Sequence, residues 1–542
     1  MQQLDFWIRK RASQSPNKIA LIQIETGEAW TYEQLMKHTY WWTEQFTKHK
    51  LQRGDRIALL MENSIESFAI LFACRLNELI YVPLNTKLTK AELQAIVADC
   101  TPSLLVADDV HTERAEELAE GCLDRAESPG LGGMEQADGP DEGCAEREDD
   151  LTVGDGIDTG VANKLAGIRV VAAKSEMVDT GACNMWQDEP MLPWLIIYTG
   201  GTTGKAKGVV LSYEAVTANA INTVISWGLN DADCTLNYMP LFHTGGINAL
   251  ALPVLMVGGT VVIGQKFDPE RAVRAIDEYK TTISLFVPTM YQLMTQTTYF
   301  EQSTFPTVKV FLSGGAPCPK PIYERFNERG LKFKEGYGLT EAGPNNFFID
   351  CDVAMTKKGA VGKSMLFNEV QVMNEKGEPC SEGEVGELWL KGSHVFRSYW
   401  NNEQETEATF HNGWLKTGDL AMFDEDGDFY IVGRKKEMII TGGENVYPQE
   451  VEQCLIMHPA VREVTVIGVP EEKWGECVVA FVVLKNVGDY SDEALAAELM
   501  EHCKKKLANY KVPKRLNFAE ELPKTVVGKI DKKQLQQVPP SL

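Results

Sequence analysis

The sequence predicts an α/β protein: a large N-terminal domain of parallel, helix-covered sheets with a small antiparallel region, and a small α+β C-terminal domain. Three observations carry this expectation. Apolar strands alternate with helices through the first 110 residues and again from 193 to about 350, the pattern of a parallel sheet covered on both faces. Residues 360–433 are rich in glycine and short strands, which reads as antiparallel. After Gly433 a new hydrophobic pattern runs for about 110 residues, enough for a second core. The predicted domains are therefore 1–433 and 434–542.

Taken in order, Tyr32 to Lys50 reads as a helix capped by Thr31, Arg56–Met61 as a strand, and Ser64–Leu76 as a helix capped by Ser64. Leu79–Pro83 and Ser103–Ala107 are strands, with Thr89 capping the helix between them. From Gly121 to Lys164 there are 12 acidic and 3 basic residues, many glycines and few branched apolar side chains. Such a segment buries too little apolar surface to offset its ordering entropy. It is read as a solvated acidic insertion, about 121–185, that supplies about −9 of the net charge. Pro193–Tyr198 resumes the strands, and Gly386–Lys391 and Gly427–Val432 belong to the antiparallel region. Pro448 suits the first turn of a helix. Strands at Val464–Val469 and Val478–Leu484 follow, then a helix from about Ser491 whose Leu495, Leu499, Cys503 and Leu507 share one face.

The composition excludes several classes. A net charge of −24, from 77 acidic and 53 basic residues, argues against a nucleic-acid backbone as main partner. The 12 cysteines lie at least 22 residues apart, so short zinc and redox pairs are absent, and reduced thiols in a cytoplasm are expected. No signal peptide is expected at the start. The longest apolar stretch, Ile247–Ile263, is broken by Pro253 and Gly258-Gly259, so it reads as a buried helix and strand rather than a transmembrane segment.

The run Tyr198-Thr-Gly-Gly-Thr-Thr-Gly-Lys-Ala-Lys-Gly208 follows an apolar strand. Thr199, Gly200, Gly201, Thr202, Thr203 and Gly204 offer open backbone N–H groups and hydroxyls, and Lys205 and Lys207 add charge, the components of a phosphate cradle. The spacing differs from a Walker A loop. A plain Gly/Thr hairpin is the bland alternative.

This loop resembles the signature of the adenylate-forming (AMP-binding) superfamily, which includes acyl-CoA synthetases, peptide-synthetase adenylation domains and luciferases. Gly200 stands where serine is usual and Ala206 where proline is usual. Further motifs follow in the family's order over nearly the whole chain outside the insertion. Ser313-Gly-Gly-Ala-Pro317, with Gly315, Ala316 and Pro317, is similar to the adenine-side turn. Gly336-Tyr-Gly-Leu-Thr-Glu341 is similar to the family's most diagnostic motif. The resemblance implies that Gly336, Tyr337 and Gly338 line the adenine, Thr340 bonds a phosphate, and Glu341 holds Mg²⁺. Asp419 and Arg434 would bind the ribose, Lys436 would be the hinge, and Lys529 the catalytic lysine. Gly443 would border the pantetheine channel.

The implied reaction is ATP-dependent acid–CoA ligation. A carboxylate attacks the α-phosphorus of ATP, pyrophosphate leaves, and the thiol of coenzyme A then displaces AMP from the acyl-adenylate. Two anions must meet, so positive charge and a metal are needed. The CoA-ligase branch carries a histidine where this chain has His243, and the implied catalytic set is Lys529, His243, Glu341 and Thr199. A satisfied core histidine is the alternative for His243. The window Tyr238–Leu255 holds no acidic residue, so an ammonium there would be buried without a partner and an α-amino acid is not expected. The chain continues only 13 residues past Lys529, which favours free coenzyme A over a fused carrier.

Expected partners are thus a small carboxylic acid (fatty or aryl), ATP and CoA, with a homodimer as an allowed assembly. The competing readings are a stand-alone enzyme loading an acid such as o-succinylbenzoate or an aryl acid onto CoA or a carrier protein, an inactive relative, and, more remotely, a light-emitting oxidase.

Overall fold

The computed structural model describes residues 6–127, 168–175, 191–200, 206–471, 473–485, 492–524 and 530–536. Two seven-stranded sheets form the body. The first runs in the order Phe333–Glu335, Val310–Ser313, Ile283–Phe286, Cys234–Asn237, Thr260–Ile263, Ile19–Gln23, Ala29–Thr31. Every pair is parallel except the last. The second runs Ser398–Tyr399, Lys207–Ser212, Pro193–Thr199, Ile80–Pro83, Arg56–Leu60, Leu104–Ala107, Arg169–Ala172. Its first two pairs are antiparallel and the other four parallel. The alternation of helices and strands thus produced the expected parallel sheets, each with an antiparallel edge. Strands such as Leu104–Ala107 and Val310–Ser313 are buried at every residue, which is why they read as continuous apolar runs.

Local chemistry sets the helix starts. Thr31 and Thr89 each form a complete capping box, with Gln34 and Glu92. Ser64 does not cap. The helix is Glu66–Leu76, with Ile65 at its N-cap and no side-chain bond there. Ten of its eleven residues are buried, so packing on all sides, rather than a cap, holds its first turn. Glu66 itself accepts from Trp42 Nε1 in the interior.

The expected insertion is shorter than its composition suggests. The helix Thr112–Glu127 runs into it, and Arg169–Ala172 pairs in parallel with Leu104–Ala107 at the sheet edge. Two adjacent valines between Arg169 and a pair of alanines were too brief a signal to read as a strand. The remainder of the acidic stretch, 128–167 and 176–190, lies outside the described residues.

A third, antiparallel sheet joins Phe347–Phe348, Ala360–Ser364, Phe429–Arg434, Trp414–Phe423, Gly386–Lys391 and Glu369–Met373, with Phe410–His411 beside Trp414–Phe423. It ends at Arg434. A fourth sheet begins at Ile439 and orders Glu444–Val446, Ile439–Thr441, Gly475–Leu484 and Val461–Glu471, with Arg515–Phe518 added in parallel. The helices Pro448–Ile456 and Asp492–Lys504 cover it, burying Val451, Leu455, Leu495, Leu499 and Cys503 in one cluster against which Leu507 packs. Among the described residues no helix is long and apolar enough to cross a membrane.

Candidate active site

The motif loops leave the carboxyl ends of parallel strands in the first sheet. Gly314–Pro317 follows Val310–Ser313, Gly336–Thr340 follows Phe333–Glu335, and Tyr238–Thr244 follows Cys234–Asn237. Open α/β sheets bind ligands in this crevice. Gly336 N donates to Ser313 O at 2.9 Å, locking the first two loops together. Below them Glu335 is buried; its Oε1 accepts from Cys318 N at 2.7 Å and its Oε2 from Tyr323 Oη at 2.9 Å. Burial pushes the Glu335 carboxyl up to about 7, opposed by those two hydrogen bonds. Gly338 is required by packing, because a Cβ there would fall 2.2 Å from the Pro344 carbonyl.

Tyr337 reaches from this loop to the third sheet. Its Oη donates to Asp419 Oδ2 at 2.6 Å, and Arg434 Nε meets Asp419 Oδ1 at 2.9 Å. Asp419 and Arg434 are direct partners across the strands Trp414–Phe423 and Phe429–Arg434. Asp419 is only 4% exposed, so its charge is held by these two donors. A buried, braced carboxylate at the end of an antiparallel pair is suited to accept both protons of a cis-diol. Burial, and then the Asp419 charge, push the Tyr337 phenol upward, so it remains a donor.

Thr340 and Glu341 open a one-turn 3₁₀ helix, Thr340–Ala342. Tyr399 Oη donates to Glu341 Oε1 at 2.9 Å, and Phe396 N donates to Glu341 O at 2.7 Å. A half-buried carboxylate beside a threonine hydroxyl is an all-oxygen donor set, which fits a hard cation such as Mg²⁺. Thr199 and Lys207 face each other across the hairpin formed by Pro193–Thr199 and Lys207–Ser212. The hairpin reading and the cradle reading of the Gly/Thr run are therefore compatible. Lys207 Nζ is ion-paired with Glu405 and lies 5.3 Å over the Tyr399 ring. Gly201, Thr202, Thr203, Gly204 and Lys205 lie outside the described residues, whereas Gly200 is described and exposed.

His243 sits in a loop clamped from the second sheet. Asn63 Nδ2 donates to Met239 O at 3.0 Å, and Leu241 N donates to Asn63 Oδ1 at 2.9 Å. The His243 ring packs 5.2 Å from Phe242, and the chain then enters a π-helical turn, Gly245–Ala249, a distortion frequent at functional sites.

Other predicted residues lie in or near the fourth sheet. Lys436 is exposed in the one-turn 3₁₀ helix Lys435–Glu437 that joins the third sheet to the fourth. Gly443 shares the two-residue turn between Ile439–Thr441 and Glu444–Val446 with Gly442; their φ values are +85° and +61°, the pattern that makes glycine the preferred residue in a tight hairpin. Lys529 lies outside the described residues. Its flanks are anchored: Lys524 pairs with Glu463 at 3.0 Å, and Lys532 pairs with Glu437 at 3.0 Å and Glu452 at 3.1 Å. The helix Pro448–Ile456 meets the loop that follows Val310–Ser313, where Gln453 Nε2 donates to Cys318 O at 3.3 Å.

The sequence model of the AMP-binding enzyme family matches residues 8–400, and that of the AMP-binding enzyme C-terminal domain matches residues 450–529. The chain belongs to the AMP-binding enzyme family. Feruloyl-CoA synthase of Amycolatopsis sp is 33% identical over 536 residues, covering 99% of both chains. A long-chain-fatty-acid–CoA ligase of Mycobacterium tuberculosis is 31% identical, covering 99% of this chain and 98% of that one. Among solved structures, o-succinylbenzoate CoA synthetase from Bacillus subtilis in complex with its acyl-adenylate intermediate matches 99% of both chains, with TM-score 0.81 and 28% identity. This chain is an AMP-forming acid–CoA ligase that uses ATP, Mg²⁺ and coenzyme A.

Sequence reasoning missed Glu335 and Tyr399. Glu335 directly precedes the Gly336–Glu341 motif, so its place in a strand end was legible but its partners were not. Tyr399 belongs to none of the motifs, and its contact with Glu341 joins residues 58 positions apart.

Proposed function

We propose that this ligase activates an aryl or a medium- to long-chain aliphatic carboxylate lacking an α-amino group. The observation that carries the reading is the absence of any acidic residue from Tyr238 to Leu255, together with burial of Ile247, Leu250, Leu252 and Val254. An ammonium would find no counter-charge there, while an apolar chain or ring would lose water at a gain. The curated relatives named for feruloyl and fatty acyl substrates support the same class.

In this reading Asp419 and Arg434 hold the ribose, Tyr337 stacks on the adenine, and Thr340, Thr199 and the Gly/Thr hairpin with Lys205 and Lys207 receive the phosphates. Glu341 holds Mg²⁺, which offsets phosphate charge. His243 borders the carboxylate, and Lys529 draws it and the α-phosphate together. The two halves, 1–433 and 434–542, then rotate about Lys436. Lys529 withdraws, and the Gly442-Gly443 turn approaches the thiol channel. Exposure of the Lys435–Glu437 turn supports a pivot at that point. The nine described cysteines are free thiols, which supports a cytoplasmic setting.

A pyrophosphate-release screen over acids of graded chain length and aromaticity, with and without CoA, tests the reading. Release with apolar acids and formation of their CoA thioesters are expected. Preference for α-amino acids, or release with none of the acids, overturns it.

A further inference from the structure

Tyr399 stands where three segments of the site meet. Its two-residue strand pairs with Lys207–Ser212, placing Tyr399 opposite Val209. Its hydroxyl bonds Glu341 Oε1 at 2.9 Å, and its ring lies under Lys207 Nζ at 5.3 Å. The residue is 8% exposed, and its ring packs edge-on against Phe396 at 4.9 Å. Phe396 N in turn bonds Glu341 O, and Tyr399 N bonds Thr406 Oγ1 at 3.0 Å. Both the backbone and the carboxylate of Glu341 are thus held by the segment 396–399.

We infer that Tyr399 is a positioning residue that presents the Glu341 carboxylate to the metal and keeps it in register with Lys207 of the phosphate hairpin. This rests on the proposed metal role of Glu341. A glutamate side chain has several rotatable bonds, and fixing them before the ligand arrives removes that ordering cost from binding. A phenol donating to one carboxylate oxygen also sets which oxygen turns toward the site, the usual task of a ligand's hydrogen-bonded partner. The ring serves a second purpose. Lys207 and Glu341 carry opposite charges and would neutralise each other if they met. With the ammonium on the face of Tyr399 and the carboxylate on its hydroxyl, Lys207 pairs with Glu405 instead.

The test is Tyr399→Phe in the full chain, which retains the ring and removes only the hydroxyl. Mn²⁺ is titrated into enzyme with α,β-methylene ATP, and free Mn²⁺ is read by electron paramagnetic resonance. Mn²⁺ affinity is expected to fall about 10-fold or more, while metal-free binding of the analogue stays within about twofold. Unchanged Mn²⁺ affinity overturns the proposal, and so does an equal loss in metal-free nucleotide binding, which would mark a general disturbance of the fold. Glu341→Gln separates the premise from the inference. If it leaves Mn²⁺ binding intact, the metal role of Glu341 itself fails; if it weakens binding while Tyr399→Phe does not, the positioning role alone fails.

Discussion

Tyr337 Oη donates to Asp419 Oδ2 at 2.6 Å, joining residues 82 positions apart, one in the loop that leaves the first sheet and the other in a strand of the third. The bond braces the proposed nucleotide site before nucleotide arrives. Because Asp419 is buried, loss of a donor leaves a charge that water does not compensate. Tyr337→Phe is therefore expected to raise the KM for ATP by about 10-fold, and Asp419→Asn by about 100-fold, in line with roughly 1.5–3 kcal/mol per hydrogen bond to a charged group. Pyrophosphate exchange at graded ATP measures both. Equal, small effects would remove Asp419 from the ribose site.

Lys529→Ala is expected to lower acid-dependent pyrophosphate release by about 10²- to 10³-fold, the usual cost of deleting a preorganised charge at a transition state. Thioester formation from supplied acyl-adenylate and CoA should persist, since the withdrawn lysine has no part in it. A similar loss in both half-reactions would refute the division of labour.

Lys532 bridges Glu437, next to the proposed hinge, and Glu452, whose Oε1 also accepts from Val466 N at 2.8 Å. It is three residues beyond Lys529. Lys532→Met should reduce adenylation by about 10- to 100-fold, through misplacement of the catalytic segment, and Lys532→Arg should restore most of it. If the arginine variant rescues thermal stability but not adenylation, the effect on the catalytic segment is not one of charge pairing.

Glu335 gives a pH dependence with a definite sign. Its folded value is about 7 because of burial, above that of an exposed glutamate, about 4.3. Its contribution to stability is full below the unfolded value and is lost as pH rises toward 7. His394 acts oppositely: burial lowers it to about 4, so its contribution is lost as pH falls from about 6.5, the unperturbed value. The two slopes oppose each other between about pH 4.5 and 6.5. Urea midpoints of the parent and Glu335→Gln, compared at pH 5, 6, 7 and 8, isolate the glutamate. The variant should gain relative to the parent as pH rises to 7 and hold that gain at pH 8; a constant difference would place the Glu335 titration elsewhere.

Some features were legible because their cause is local. Thr31 and Thr89 announced their helices through the reciprocal bonds of a capping box. The glycine-rich hairpin, the Gly336–Glu341 loop and the Asp419 motif carry residue types that backbone geometry and ligand charge demand at fixed spacing. Ser64 had the chemistry of a cap but not the role, because burial of the helix Glu66–Leu76 made a cap unnecessary. Arg169–Ala172 is a strand because Leu104–Ala107 offers an open edge, which the residues of the strand do not encode.

The amino-acid sequence by itself determined the fold class, several of the turns, the reaction family and the residues proposed to meet ATP. These depend on side-chain chemistry and on spacings of a few residues. Only the tertiary structure decided that Tyr337 braces Asp419, that Glu335 ties two loops together from beneath, and that Tyr399 joins Glu341 to Lys207. Each of these links residues at least 12 positions apart, and the burial that gives it strength exists only once the sheets have packed.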